Sequence, residues 1–190
     1  MGTDHIVTTK TYINIGDTLY LLGDYPTALD YYSKSIEATV KEFGAEGVET
    51  ANLYRSIGYA YDSLEDYQNA IEYYLKSLRV FEEVLGKEHL ETAALYRSIG
   101  YSNFFCEQYV KASEFFIKAQ KVFEKEFGID HVDTAMLYRN IGYAFENVMN
   151  YRQALEYYSN ALSVFSKNYD ESHSDVSEMK ERIDKMKQKI

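Results

Sequence analysis

Apolar and polar positions along this chain follow a helical period that is broken and restarted at regular intervals. In 51–64, "ANLYRSIGYAYDSL", the residues Leu53, Tyr54, Ile57, Gly58 and Tyr61 fall at three- and four-residue steps, which places them on one face of a helix. The pattern is interrupted by "EDY" at 65–67. It resumes over 68–85, "QNAIEYYLKSLRVFEEVL", where Ala70, Ile71, Tyr74, Ser77, Leu78, Phe81 and Leu85 share a face. Gly86 is placed to end this second helix as its C′ residue, and "KEHLE" leads onward. The pattern therefore predicts two helices joined by a tight turn.

The same pair is then written again. "ETANLYRSIGYAY" starts at 49, "ETAALYRSIGYSN" at 91 and "DTAMLYRNIGYAF" at 133, a strict period of 42 residues. A period of this size marks an array of stacked supersecondary units. Extended backwards, the register takes in 7–48, and 49–90 matches 91–132 at 20 of 42 positions. The chain thus divides into repeats at 7–48, 49–90, 91–132 and 133–174, with a tail at 175–190 that starts a fifth copy. Glu49, Glu91, Asp133 and Asp175 recur where a negative charge suits a helix N-terminus. Asp170 stands where the other copies have Gly44, Gly86 and Gly128, so a looser fourth turn is expected.

A glycine inside a helix costs about 1 kcal/mol against alanine. Gly16, Gly58, Gly100 and Gly142 nevertheless occupy the middle of every first helix. Ala28, Ala70, Ala112 and Ala154 recur at matching depth in the second helices, and small opposite small is the expected packing. Larger columns fill the flanks: Tyr12, Tyr54, Tyr96 and Tyr138; Ile15, Ile57, Ile99 and Ile141; Tyr25, Tyr67, Tyr109 and Tyr151.

These columns carry a family resemblance. The order Tyr54, Ile57, Gly58, Tyr61, Asp66, Tyr67, Ala70 and Tyr74 resembles the tetratricopeptide repeat, usually about 34 residues long. The longer form seen here, with a loop such as "LGKEHLETA", is similar to the repeats of kinesin light chain. The resemblance covers about 7–174. It implies an all-α, right-handed superhelical α-solenoid of four helix-turn-helix repeats, with 175–190 as a C-terminal capping helix. It also implies a non-enzymatic protein-interaction module. Two departures limit the carry-over. The paired asparagines typical of kinesin light chain are replaced by Ile13-Asn14, Arg55-Ser56, Arg97-Ser98 and Arg139-Asn140. The mixed Lys, Asn and Arg pattern of chaperone-tail "carboxylate clamp" repeats is absent as well.

In a stacked array the first helices line the concave face, and a residue at one slot becomes a ladder. Arg55, Arg97 and Arg139 form one ladder; Tyr59, Tyr101 and Tyr143 form a second, four residues on and so on the same helix face. Ser56, Ser98 and Asn140 lie between them. This face is expected to lie away from the packed stripe. Guanidinium groups hold carboxylates or phosphates bidentately, tyrosines give flat contact area at low entropic cost, and Ser and Asn bond an extended backbone. One reading is a groove for an acidic or phosphorylated peptide of a partner protein. The other is that arginine, a good helix former, is inherited scaffolding paired with acids such as Asp62. Ile13, Asp17 and Tyr20 fill these slots in repeat 1, and Glu146 and Asp62 add negative charge. A second class of function also stays open: a structural scaffold or self-associating piece of a larger multidomain protein that makes its contacts through the array ends. A monomer is expected, with end-to-end association as the alternative.

Composition excludes several other classes. The net charge of −10 argues against nucleic acid, whose phosphates need clustered Lys and Arg. Apolar runs are too short to span a membrane, and the start "MGTDHIVTTK" lacks the features of a signal peptide. Ile6 stands where a myristoylation signal needs Ser or Thr. The lone Cys106 fits a reducing cytoplasm. It shares a slot with Leu22, Leu64 and Val148 and is expected in the core as an inert thiol. His89, His131 and His173 recur in the turns before first helices. Copies one repeat apart are too distant for zinc, which needs ligands near 2 Å, so they are read as helix-start residues. No phosphate loop and no Ser-His-Asp spacing is present, so neither enzyme activity nor a cofactor is expected. The tail places Val176, Met179, Ile183, Met186 and Ile190 at helical steps. It suits a cap on repeat 4, since terminal repeats need a polar outer face, and is also compatible with a partner helix.

Overall fold

A computed structural model describes residues 2–190, with side chains from Thr8 onward. The boundary of repeat 1 at Val7 lies outside the described side chains. Nine helices are present among the described residues: α1 (Gly2–Leu21), α2 (Tyr25–Phe43), α3 (Val48–Ser63), α4 (Tyr67–Val84), α5 (Leu90–Phe105), α6 (Tyr109–Phe127), α7 (Val132–Asn147), α8 (Tyr151–Asn168) and α9 (Ser174–Lys187). They pair as consecutive hairpins, α1 with α2, α3 with α4, α5 with α6 and α7 with α8. The chain forms two compact units, one extending to Lys87 and one spanning Glu88–Ile190. In the first, α2 packs on α3; in the second, α6 packs on α7 and α8 on α9. The fold is an all-α repeat.

The turn residues explain where each helix starts. The Asp of "DY" is the N-cap of the second helix. Asp24, Asp66 and Asn150 accept backbone N–H bonds from Thr27, Asn69 and Gln153, satisfying donors that would otherwise lack partners. Gln108 occupies the same slot before α6 and makes no side-chain cap. The recurrent histidines cap the first helices. Nδ1 of His89, His131 and His173 accepts the backbone N–H of Glu91, Asp133 and Asp175 at 3.2, 3.2 and 3.3 Å. The Thr50 and Thr134 hydroxyls donate to the carbonyl oxygens of Gly44 and Gly128 at 2.7 and 2.9 Å, tying each turn to the next helix.

Gly44, Gly86 and Gly128 adopt φ of 80°, 91° and 93°, the left-handed region that glycine enters without steric cost. The fourth turn is built differently. Tyr169 ends α8 in extended backbone at φ −129°. Asp170 Oδ1 then accepts from the Ser172 N–H at 3.0 Å and the Ser172 hydroxyl at 2.7 Å. A side-chain clasp thus replaces the glycine, and the turn is not the loose one expected.

The mid-helix glycines meet a different partner from the one the repeat pattern predicts. A Cβ on Gly16, Gly58, Gly100 or Gly142 would stand 2.5–2.6 Å from ring carbons of Tyr32, Tyr74, Phe116 or Tyr158. These rings follow the predicted alanines by one helical turn. Small therefore packs against large: each second helix lays a fully buried aromatic ring across the backbone of the first. The core around them includes Leu53 and Ile57, Leu95 and Ile99, and Leu137 and Ile141, all at most 2% exposed. The expected core slot of Cys106 is in fact at the helix end. Leu22 and Leu64 are 76% and 40% exposed, Val148 is 38% exposed, and Cys106 is half-buried as the C-cap of α5.

Gly142→Ala gains helix propensity but forces a methyl into the Tyr158 ring, and overpacking of this kind costs about 1–3 kcal/mol. The variant is expected to unfold at lower urea concentration than wild type, read by circular dichroism. Gln108→Asp supplies the missing cap on α6 and is expected to raise stability by about 1 kcal/mol in the same assay.

Candidate functional site

The arginine column is built into the hairpins. Arg55 lies over the Phe81 ring at 5.3 Å, Arg97 over Phe123 at 5.3 Å and Arg139 over Phe165 at 5.9 Å. Each ring is buried in the second helix of the same repeat. Repeat 1 lacks both members of the pair, with Ile13 and Thr39 in their slots. A guanidinium on a desolvated ring face contributes about 0.5–2 kcal/mol, so this column has a packing role whatever else it does. Arg55 also donates to Asn52 Oδ1 at 2.9 Å. Arg139 donates to Asp175 Oδ1 at 2.6 Å, with both side chains about one-fifth exposed. The tyrosine column packs likewise. Tyr59, Tyr101 and Tyr143 set their rings edge-on to Tyr74, Phe116 and Tyr158 at 5.5, 5.2 and 5.7 Å. The Arg and Tyr face is thus continuous with the packed stripe rather than turned away from it.

Within Glu88–Ile190 these residues border a cleft of about 400 Å³. Tyr101, Phe104, Phe105 and Phe116 form its α5–α6 side, and Arg139, Asn140 and Tyr143 its α7 side, with Glu178 of α9 at the rim. Asn140 is 5% exposed and its Nδ2 donates to the Tyr101 hydroxyl at 2.7 Å. The Tyr143 hydroxyl donates to Glu178 at 2.6 Å. Burial and that carboxylate push the Tyr143 pKa well above the tyrosine range. The Arg139 Nε is buried and makes no hydrogen bond.

A second cleft, of about 210 Å³, lies in the unit ending at Lys87. It is lined by Asp17, Tyr20, Leu21, Tyr32, Ser56 and Tyr59. These are the same six slots as Tyr101, Phe104, Phe105, Phe116, Asn140 and Tyr143, two repeats earlier. Of the nine residues singled out in the sequence, four therefore meet at one cleft and Ser56 and Tyr59 at the other. Arg55, Arg97 and the half-buried Ser98 border neither.

Sequence reasoning missed Phe104, Phe105 and Glu178. Phe105 is 56% exposed in a slot otherwise filled by Leu21, Ser63 and Asn147. An aromatic residue at an exposed helix end was a usable signal. Glu178 reaches the cleft only because α9 packs in the place a further first helix would take.

The α9 contacts form a charged web. Glu146, with its side chain 9% exposed, accepts from Arg182 at 3.0 Å, from Lys185 at 2.6 Å and from the Tyr158 hydroxyl at 2.8 Å. Burial alone would raise its pKa, but Lys185, Tyr158 and Arg182 outweigh it and hold the carboxyl below the usual glutamate value. Among the described residues, no cluster of His, Cys, Asp and Glu is arranged to hold a metal ion. No described helix is long and apolar enough to cross a membrane.

A tetratricopeptide repeat family model matches residues 7–83, 63–105 and 91–167. The chain belongs to the tetratricopeptide repeat family. Solved structures of several kinds share its fold. It superposes on the crystal structure of BtubC (BKLC) from P. vanneervenii with a TM-score of 0.77, at 14% identity, covering 99% of this chain and 82% of that one. A putative kinesin light chain of Podosopora anserina, with nearly identical TPR-like repeats, gives 0.78 at 13% identity over 95% and 85%. The apo form of RapI gives 0.77 at 21% identity over 95% and 63%. The kinesin-light-chain likeness read from the 42-residue period is therefore present in the fold. No curated protein sequence matches the chain. Tetratricopeptide repeats are protein-interaction modules as a class, and in this one the first helices carry both clefts.

The web around Glu146 contributes to the acid response of this tetratricopeptide array. A carboxyl whose pKa is lowered by folding contributes stability above its unfolded value, about 4.3, and loses that contribution as pH falls through the folded value. Glu146→Gln is expected to cost about 1–2 kcal/mol at neutral pH, by leaving Arg182 and Lys185 short of a partner. That difference should shrink toward zero as pH falls below the folded pKa, read by urea denaturation of both proteins across pH 3–7.

Proposed function

We propose that the first-helix face is a non-enzymatic docking surface for an extended peptide segment of a partner protein in the cytoplasm. One observation carries the reading: an open cleft of about 400 Å³ whose walls are aromatic and whose few polar groups converge. Rings supply contact area, and a small number of placed polar atoms fix orientation, the usual composition of a recognition site. Asn140 stands where it can meet a peptide backbone, held in place by its bond to Tyr101.

The charge distribution argues for an apolar or aromatic anchor rather than for the acidic or phosphorylated segment that the arginine ladder evokes. Arg139 already has the Asp175 carboxylate at 2.6 Å, and Glu178 lies on the same rim. An incoming carboxylate or phosphate would have to displace Asp175 and approach Glu178. The peptide favoured here buries an aromatic or aliphatic side chain among Tyr101, Phe104 and Phe105.

Reversing the charge of Arg55, Arg97 and Arg139 would strip three ring contacts from the hairpins, so it tests folding as much as binding. Phe105→Asp is the cleaner change, since that side chain is 56% exposed. Peptides selected from a displayed random library on the full chain are expected to bind Phe105→Asp at least about tenfold more weakly than wild type, a loss of about 1.4 kcal/mol. The thermal midpoint should stay within the effect of an ordinary surface change. Selected peptides that bind the variant as tightly as wild type would overturn the assignment.

A further inference from the structure

The structure assigns a chemical class to the smaller cleft. It is a site for a cationic side chain, the lysine or arginine of a partner segment. This rests on the reading that the first-helix face docks peptides, and adds what the Tyr59 cleft selects.

The first support is the lining itself. Three tyrosine rings, Tyr20, Tyr32 and Tyr59, surround the cleft with Leu21, Ser56 and one carboxylate, Asp17; no basic side chain lines it. The Tyr32 hydroxyl donates to Asp17 Oδ1 at 2.8 Å. The carboxylate is thereby fixed at the cleft while Asp17 remains exposed. Aromatic faces with one anchored negative charge form the environment that attracts an ammonium or guanidinium group.

The second support is independent and lies in the other unit. There the tyrosine at the slot of Tyr59 is Tyr143, and it already carries a cation. The Arg182 guanidinium sits over the Tyr143 ring at 5.1 Å, with the carboxylates of Glu146 and Glu178 at 3.0 and 3.7 Å. Arg182 does not line the larger cleft, but the contact shows a tyrosine of this column taking a guanidinium on its ring where carboxylates stand beside it. The larger cleft differs where it matters, with Tyr101 in the slot of Asp17 and with Arg139 on its rim. Arg139 and Glu178 offset one another at that rim, whereas Asp17 gives the smaller cleft a net negative charge, so the larger takes an uncharged anchor and the smaller a basic one. The volume of about 210 Å³ is enough for one long side chain.

The test uses the full chain and two small probes in ¹H–¹⁵N correlation spectra. N-acetyl-arginine amide carries the cation, and N-acetyl-citrulline amide is its uncharged counterpart of nearly the same shape. The arginine probe is expected to shift the Asp17, Ser56 and Tyr59 amides with saturation, at least about fivefold more tightly than citrulline, and to weaken as salt is raised. Asp17→Asn keeps an acceptor for Tyr32 and should abolish the preference, while Tyr59→Leu should weaken both probes. Equal response to the two probes, no response, or a preference that survives Asp17→Asn would overturn the assignment. Library peptides separate this from the broader reading. Peptides that need Phe105 but carry no Lys or Arg sensitive to Asp17→Asn would sink the cationic site alone. A library yielding no binder, with the arginine probe still selective, would sink peptide docking and leave the cleft a site for small cations.

Discussion

Each hairpin of this protein depends on one contact, an aromatic ring of the second helix laid on a glycine of the first. The rings of Tyr32, Tyr74, Phe116 and Tyr158 occupy the space a Cβ would need at Gly16, Gly58, Gly100 and Gly142. The contact sets how closely two helices approach, and the rest of the hairpin is arranged around that spacing. A larger residue would push the helices apart and open voids along the flanking leucine and isoleucine columns, where interiors are otherwise close-packed. The helix-propensity penalty of the glycine, about 1 kcal/mol, is offset by burying a ring of Tyr or Phe to at most 1% exposure.

The same rings organise the face that carries the Arg and Tyr columns. Tyr59, Tyr101 and Tyr143 stand edge-on to them, and the guanidinium column covers the next aromatic of the second helix. Residues that look like a ligand-binding stripe are therefore half in the core. The cleft walls are side chains already held by packing, and preorganised walls lose less entropy on binding. The packing also divides the work. The recurrent residues maintain the hairpin, while the residues that vary between repeats, Asp17 against Tyr101 and Leu21 against Phe105, give each cleft its chemistry.

Helix α9 contributes both to the core and to the rim of the larger cleft. Val176, Met179, Ile183 and Met186 are buried on α9, covering apolar surface that α8 would otherwise expose. Its polar residues do more than face water. Asp175, Glu178, Arg182 and Lys185 meet Arg139, Tyr143 and Glu146 of α7. Removing α9 would expose core and also leave charged groups of α7 without partners, which is costly in a half-buried setting.

Much of this was legible in the sequence. The strict period of 42 residues and the apolar steps within it determine the helices, the hairpins and the family, since local periodicity is a property of neighbouring residues alone. The glycine turns and the Asp of "DY" are likewise local, because a left-handed φ or an N-cap involves only a few adjacent residues. What packs on a mid-helix glycine was not legible. Ala28 and Tyr32 lie one turn apart on the same helix, and only the crossing of two helices selects the ring. The place of Cys106 at a half-buried helix end, the clasp of Asp170 and the half-buried guanidinium groups were decided in the same way. Periodicity gives each residue a slot, but burial and charge partners depend on atoms from elements 14 to 39 residues away, as Tyr138 with Glu124 and Asn140 with Tyr101 show. Those distances are bridged only when the hairpins pack, so the chemistry of the clefts belongs to the tertiary structure.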